Sequence, residues 1–100
     1  MNHPIDPAVL ARLWQVICDR AEHPSESSYT SRLLMDPKGI DKVLEKVGEE
    51  CTKFILAAKN GISARTTEEA ADLIFHLLVA LRAADVELAD ILEELERRRR

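Results

Sequence analysis

The sequence predicts an all-α fold, a bundle of about four helices, and three observations carry that reading. The 13 Leu and 12 Ala far outnumber the 6 Val and 7 Ile, a balance that favours good helix formers over β-branched strand formers. With 3 Gly and 4 Pro in 100 residues, few turns are available to link short strands. Apolar residues recur at spacings of three and four, the period of one helix face. At this length, with 46% apolar composition, the chain is expected to form one domain, 1–100, with a modest core and no second domain.

The elements follow in order. Asp6-Pro7 starts the first helix, with Asp6 as N-cap and Pro7 at the first helical position; Val9, Leu10, Leu13, Trp14 and Ile17 mark its apolar face. This helix is expected to stop before Pro24. Residues 23–31 are rich in hydroxyls and have no helical period, so they read as a loop, part of a connection over 23–36 of the length that often carries function. Asp36-Pro37 repeats the start signal for a second helix ending at Asn60-Gly61, with positions 40, 43, 44, 47, 51, 54, 55 and 58 as its core face. Thr66-x-x-Glu69 reads as a capping box opening the third helix, which runs to about Ala84. A last amphipathic helix carries Leu88, Ile91, Leu92 and Leu95. Residues 96–100 form an Arg-rich tail whose cations offset the negative end of that helix.

Composition excludes several function classes. A net charge of −4 and a pI near 5.3 argue against a nucleic-acid binder, which would show a basic footprint. The apolar runs fall well short of the roughly 20 residues of a membrane span. The polar start, Met1-Asn2-His3-Pro4, lacks the regions of a signal peptide. Cys18 and Cys51 have no C-x-x-C spacing, which suits a reducing cytoplasm. No G-x-x-x-x-G-K motif is present, so a P-loop is excluded.

The chemistry sits where acidic residues interrupt buried helices. The third helix is apolar over most of its circumference except for a stripe of Glu69, Asp72 and His76, stacked at spacings of three and four. A helix so apolar needs more cover than one small chain provides, and a homodimer is expected. On the second helix, Glu50 falls at the border of the apolar face while Glu49 points away from it. If the two helices pack antiparallel across Gly61, Glu50 approaches Glu69 and Asp72. Clustered carboxylates repel unless protonated or bridged by a cation, and hard oxygen donors suit Mg²⁺ or Mn²⁺. The bland alternative makes Glu49 and Glu50 solvated surface, Glu69 a capping acid and Asp72 a first-turn charge. His76 reads as a hydrogen-bonded core or edge histidine. Lys38, Lys42 and Lys46 form a positive stripe: Lys38 reads as solvated, whereas Lys42 and Lys46 are candidates to hold phosphate oxygens.

Six segments in order, Ser27-Ser28-Tyr29-Thr30, Leu33-Leu34, Lys46-Val47-Gly48-Glu49-Glu50, Ile55-Leu56-Ala57-Ala58-Lys59, Glu69-Ala70-Ala71-Asp72-Leu73 and His76-Leu77-Leu78-Val79, resemble the phosphoribosyl-ATP pyrophosphohydrolase family over nearly the whole chain. The resemblance implies a MazG-like helical bundle completed by homodimerisation. It implies Mg²⁺-dependent cleavage of phosphoribosyl-ATP to phosphoribosyl-AMP and pyrophosphate, the second step of histidine biosynthesis. Glu50, Glu69 and Asp72 would be the metal ligands and Glu49 the residue that positions or deprotonates water. Lys42 and Lys46 would neutralise phosphate, with Ser28 and Tyr29 in the nucleotide pocket. The alternative within the same fold is a house-cleaning nucleoside triphosphate pyrophosphohydrolase.

One position departs from the family. Its pattern E-E-x-x-E reads here Glu49-Glu50-Cys51-Thr52-Lys53, with a lysine in place of the third acid. An ammonium about 4 Å from a dication is repelled by several kcal/mol. Two arrangements remain open. Either Lys53 swings outward and water completes the metal shell, or it fills the cation site, pairing with Glu49 and Glu50 in a catalytically weakened helical dimer.

Overall fold

The computed structural model describes residues 3–99, which form α1 (Ala8–Glu22), α2 (Tyr29–Leu34), α3 (Ile40–Lys59), α4 (Ser63–Ala83) and α5 (Leu88–Arg98), with no strand among them. Met1 and Asn2 of the polar start and Arg100 of the arginine tail lie outside the described residues.

At the start of α1, Asp6 Oδ1 accepts the Ala8 amide at 3.0 Å and Oδ2 accepts from Arg12 at 2.9 Å. Pro7, at φ −66°, already has the helical φ its ring imposes, but it stands at the N-cap and the helix starts at Ala8, one residue later than expected, with Asp6 just outside it. The helix ends at His23, ahead of Pro24.

The expected loop over 23–31 is only partly a loop. Tyr29 to Leu34 form α2, whose N-cap Ser28 accepts the Ser31 amide through its hydroxyl at 3.1 Å. Thr30, Ser31 and Leu33 are buried, and Ser31 Oγ donates to the Arg20 carbonyl at 2.8 Å, tying the short helix to the end of α1. Six residues are too few to show a period in sequence, and burying a hydroxyl requires the distant acceptor that the fold supplies. The described residues thus form five helices rather than about four.

Helix α3 begins at Ile40, later than Asp36-Pro37 suggested. Asp36 is a turn residue: its side chain accepts the Lys38 amide, its carbonyl accepts the Gly39 amide, and Gly39 stands at φ +65°. Gly61, at φ +71°, ends the helix in a conformation that costs glycine least. The capping-box reading of Thr66 and Glu69 does not hold. Helix α4 begins at Ser63, so Thr66 lies inside it with Oγ1 donating to the Ile62 carbonyl, and Glu69 is a buried interior residue.

The core draws on every helix: Ile17, Leu33, Val43, Leu88 and the run Leu78, Val79 and Ala80. The α3 face against it is narrower than the apolar periodicity suggested. Val43 and Ala57 are buried with Glu50 between them, whereas Ile40, Leu44, Ile55 and Ala58 are exposed. Nor is α4 covered all round: Ile74 and Leu77 lie open. One small chain covers a single stripe of each long helix and leaves a second apolar stripe outside.

Candidate functional site

Glu50 lies 11 residues before Gly61 and Asp72 lies 11 after it. At 1.5 Å per residue each stands about 16 Å along its helix from the turn. Packing α3 against α4 as a hairpin therefore brings them level, and one carboxylate oxygen from each of Glu50, Glu69 and Asp72 lies within 4.8 Å of the other two. Glu50 is 3% exposed and Glu69 6%, while Asp72 is on the surface, so the cluster is rooted in the interior and open on the Asp72 side.

Cations of the chain ring this cluster. Lys53 Nζ stands 3.4 Å from Glu50 Oε2 and 3.7 Å from Glu49 Oε1, its side chain half exposed. Of the two arrangements open to Lys53, this is the pairing one. Lys46 donates to Glu49 Oε1 at 3.1 Å and stands 3.9 Å from Glu50 Oε2. Arg65, one turn before Glu69, donates to its Oε2 at 3.0 Å. Sequence reading passed over Arg65, although the Arg65 to Glu69 spacing of four was the readable signal.

The pairing sets the charge states. The Lys46 hydrogen bond and charge hold Glu49 below the ordinary carboxylate range, and Glu49 in turn holds Lys46 above its own. Glu49 is exposed, as expected of a residue pointing off the apolar face. Four carboxylates and three nearby cations leave the site short of one positive charge.

Whether a divalent ion fits can be tested on Glu69. Its Oε1 is a buried oxygen without a hydrogen-bond partner, in a side chain whose other oxygen holds Arg65. Buried acceptors are normally satisfied. An orphan carboxylate oxygen beside two further carboxylates, all hard donors, fits Mg²⁺ or Mn²⁺.

The remaining candidates lie on α2 and α3. Lys42 is half-buried on α3, one turn before Lys46, while Lys38 pairs with Glu45 on the surface. Ser28 is half-buried and engaged as the α2 cap. Tyr29, 43% exposed, has its hydroxyl 2.8 Å from His76 Nε2, and that imidazole is buried with Nδ1 on the Asp72 carbonyl at 2.8 Å. His76 is thus the hydrogen-bonded histidine expected, and it ties α2 to the cluster. An open dent bordered by Pro24, Arg32, Met35 and Pro37 contains none of these residues.

Comparison with known proteins gives a consistent result. Residues 10–99 match the family PRA-PH, phosphoribosyl-ATP pyrophosphohydrolase. A curated protein of Methanoregula boonei named phosphoribosyl-ATP pyrophosphatase is 70% identical over 99% of this chain and 95% of its own length. One of the same name from Methanosphaerula palustris is 64% identical over 95% of this chain and 96% of its own. The histidine biosynthesis bifunctional protein HisIE of Gloeobacter violaceus is 44% identical over 99% of this chain, which spans 44% of that longer protein.

Proposed function

The chain belongs to the phosphoribosyl-ATP pyrophosphohydrolase family, and from that premise we propose that it hydrolyses phosphoribosyl-ATP to phosphoribosyl-AMP and pyrophosphate, the second step of histidine biosynthesis. The observation that carries the reading is the convergence of Glu50, Glu69 and Asp72 from two helices, with an oxygen of Glu69 left without a partner.

Glu50, Glu69 and Asp72 would hold Mg²⁺, with Mn²⁺ as a substitute, and such an ion would supply Lewis acidity for phosphoanhydride hydrolysis. Glu49, kept ionised at neutral pH by Lys46, is in the form that orients a water and takes its proton. Lys42 and Lys46 lie along one edge of α3 and neutralise the phosphate tail as point charges. Ser28 and Tyr29, at the start of α2, border the nucleotide. The working unit is a homodimer, for which the open apolar stripes of α3 and α4 give the physical reason. Two unpaired, half-buried cysteines suit a reducing cytoplasm. Among the described residues no helix is long and apolar enough to cross a membrane, and the acidic charge does not favour nucleic acid.

Pyrophosphate release from phosphoribosyl-ATP, followed with and without Mg²⁺, tests this reading. Turnover should require the metal. Glu69→Gln should lower it at least about a hundredfold, since even groups behind metal ligands carry ten- to hundredfold effects. Equal turnover of ordinary nucleoside triphosphates would shift the assignment to a house-cleaning enzyme. The contacts of Lys53 with Glu49 and Glu50 favour a second reading, in which the same fold has weakened metal binding and little activity.

A further inference from the structure

Among the described residues every arginine except Arg32 has a carboxylate within 4.0 Å of its guanidinium. Arg32 Nη1 donates instead to the Glu26 carbonyl at 2.8 Å, a neutral acceptor that orients the guanidinium and leaves its charge uncompensated. Arg32 borders the open dent lined by the chain between α1 and α3, whose volume of about 490 Å³ falls within the roughly 300–1,000 Å³ of small-molecule sites. Pro24, Met35 and Pro37 give this dent its apolar wall. Of its two acids, Asp36 accepts the Lys38 amide and Glu26 offers Arg32 its backbone, so neither carboxylate neutralises the guanidinium.

The dent and the acidic cluster flank the same residue, Tyr29. Spaced by three, Tyr29, Arg32 and Met35 make one exposed row along α2 and its C-cap, while Thr30, Ser31 and Leu33 are buried. The Tyr29 hydroxyl stands 2.8 Å from His76 Nε2, and His76 Nδ1 stands 2.8 Å from the Asp72 carbonyl, so one end of the row adjoins the cluster. Arg32 follows Tyr29 at the about 5–6 Å between Cβ atoms of helix neighbours. A nucleotide with its triphosphate at the cluster and its base along Tyr29 points its far end at Arg32. We infer that Arg32 and this dent bind the 5′-phosphate of the phosphoribosyl arm, which makes Arg32 the residue that distinguishes phosphoribosyl-ATP from ATP. This rests on the nucleotide reading above and assigns the end of the substrate remote from the bond that breaks. That end is a phosphate monoester, and a planar guanidinium free of carboxylates takes a phosphate through two parallel hydrogen bonds.

The test pairs Michaelis kinetics on phosphoribosyl-ATP with inhibition by ATP, which has the same adenosine and triphosphate without the arm. Arg32→Gln, a change at an exposed side chain, should raise KM for phosphoribosyl-ATP about ten- to hundredfold, the effect of a charge-assisted contact, and leave kcat unchanged. The inhibition constant of ATP should stay at the wild-type value. Arg32→Lys, which keeps the charge without the planar fork, should recover part of the loss. Met35→Trp, which crowds the dent from an exposed position, should raise KM for phosphoribosyl-ATP and leave ATP inhibition as it was.

ATP inhibition weakened in Arg32→Gln by as much as KM rises would overturn the inference, because Arg32 would then touch a part that both nucleotides share. Unchanged KM in that variant and in Met35→Trp would overturn it too. A fall in kcat that Arg32→Lys does not reverse would reduce Arg32 to a structural role. All three outcomes presuppose wild-type turnover of phosphoribosyl-ATP and so strike the inference alone. Wild-type protein that neither turns over phosphoribosyl-ATP nor binds ATP would overturn the nucleotide reading itself, and the inference with it.

Discussion

Lys53 and Arg65 each hold one of the two buried carboxylates from within the same helix, Lys53 on Glu50 and Arg65 on Glu69. Each is also about half exposed, so its contribution to stability is small and screened by salt. Their larger effect is on a dication, which must displace or tolerate them. Lys53→Glu, which restores the family pattern, should tighten Mg²⁺ binding by about tenfold or more and leave turnover equal or higher, as read by calorimetric titration. Affinity that stays flat or falls would mean that Lys53 does not oppose the metal. Arg65→Met removes the partner of a buried carboxylate. Without divalent ion this variant should lose about 1 kcal/mol of stability. Added Mg²⁺ should then raise its Tm by more than it raises that of the wild type. A smaller Mg²⁺ shift in the variant would argue against competition at Glu69. At this scale the acidic residues were legible because Glu69, Asp72 and Glu50 interrupt apolar stripes. Arg65 was less so, since an exposed i,i+4 pair on a helix looks the same whether or not its acid is buried.

Among the elements, α1 carries a testable pH dependence. Asp6 lies below the ordinary aspartate value, first because Arg12 hydrogen-bonds it and then because the Ala8 amide does. Since the folded value is the lower one, its contribution to the helix start is complete at neutral pH and is lost as pH falls through that depressed value. Monitored by NMR, the Ala8 amide should move with a midpoint below about 3.9, and Asp6→Asn should remove the transition. A midpoint at or above that value would show that this contact is absent in solution. The start of α1, to within one residue, and the Gly61 end of α3 were readable because proline and glycine act through their own backbone restrictions. The onset of α4 was not. Thr66-x-x-Glu69 satisfies a local pattern, but burying Glu69 and pairing it with Arg65 required the helix to start at Ser63. Helix α2 escaped notice because one turn and a half of hydroxyl-rich chain is stabilised by contacts far away in sequence.

For the whole molecule, the open stripes formed by Ile40, Leu44 and Ile55 on α3 and by Ile74 and Leu77 on α4 are the main unresolved burden of one chain in water. Pairing two copies over these stripes would remove them from solvent. In sedimentation the protein should have twice the 11.3 kDa mass of one chain. Ile74→Glu, which places a charge in that apolar surface, should shift it to monomer while α-helical content changes little. A wild-type monomer at the concentrations used for assay would remove the dimer from the proposal.

The sequence by itself determined the helical class, where α1, α3 and α4 stop, and the identity of the acidic cluster, since periodicity, backbone-restricted residues and charges breaking an apolar face are local properties. Tertiary structure decided how deeply Glu50 and Glu69 are buried, which cation each one holds, and that Tyr29 meets His76 across 47 positions of chain. Those are facts of packing between helices, and no spacing along a single helix encodes them.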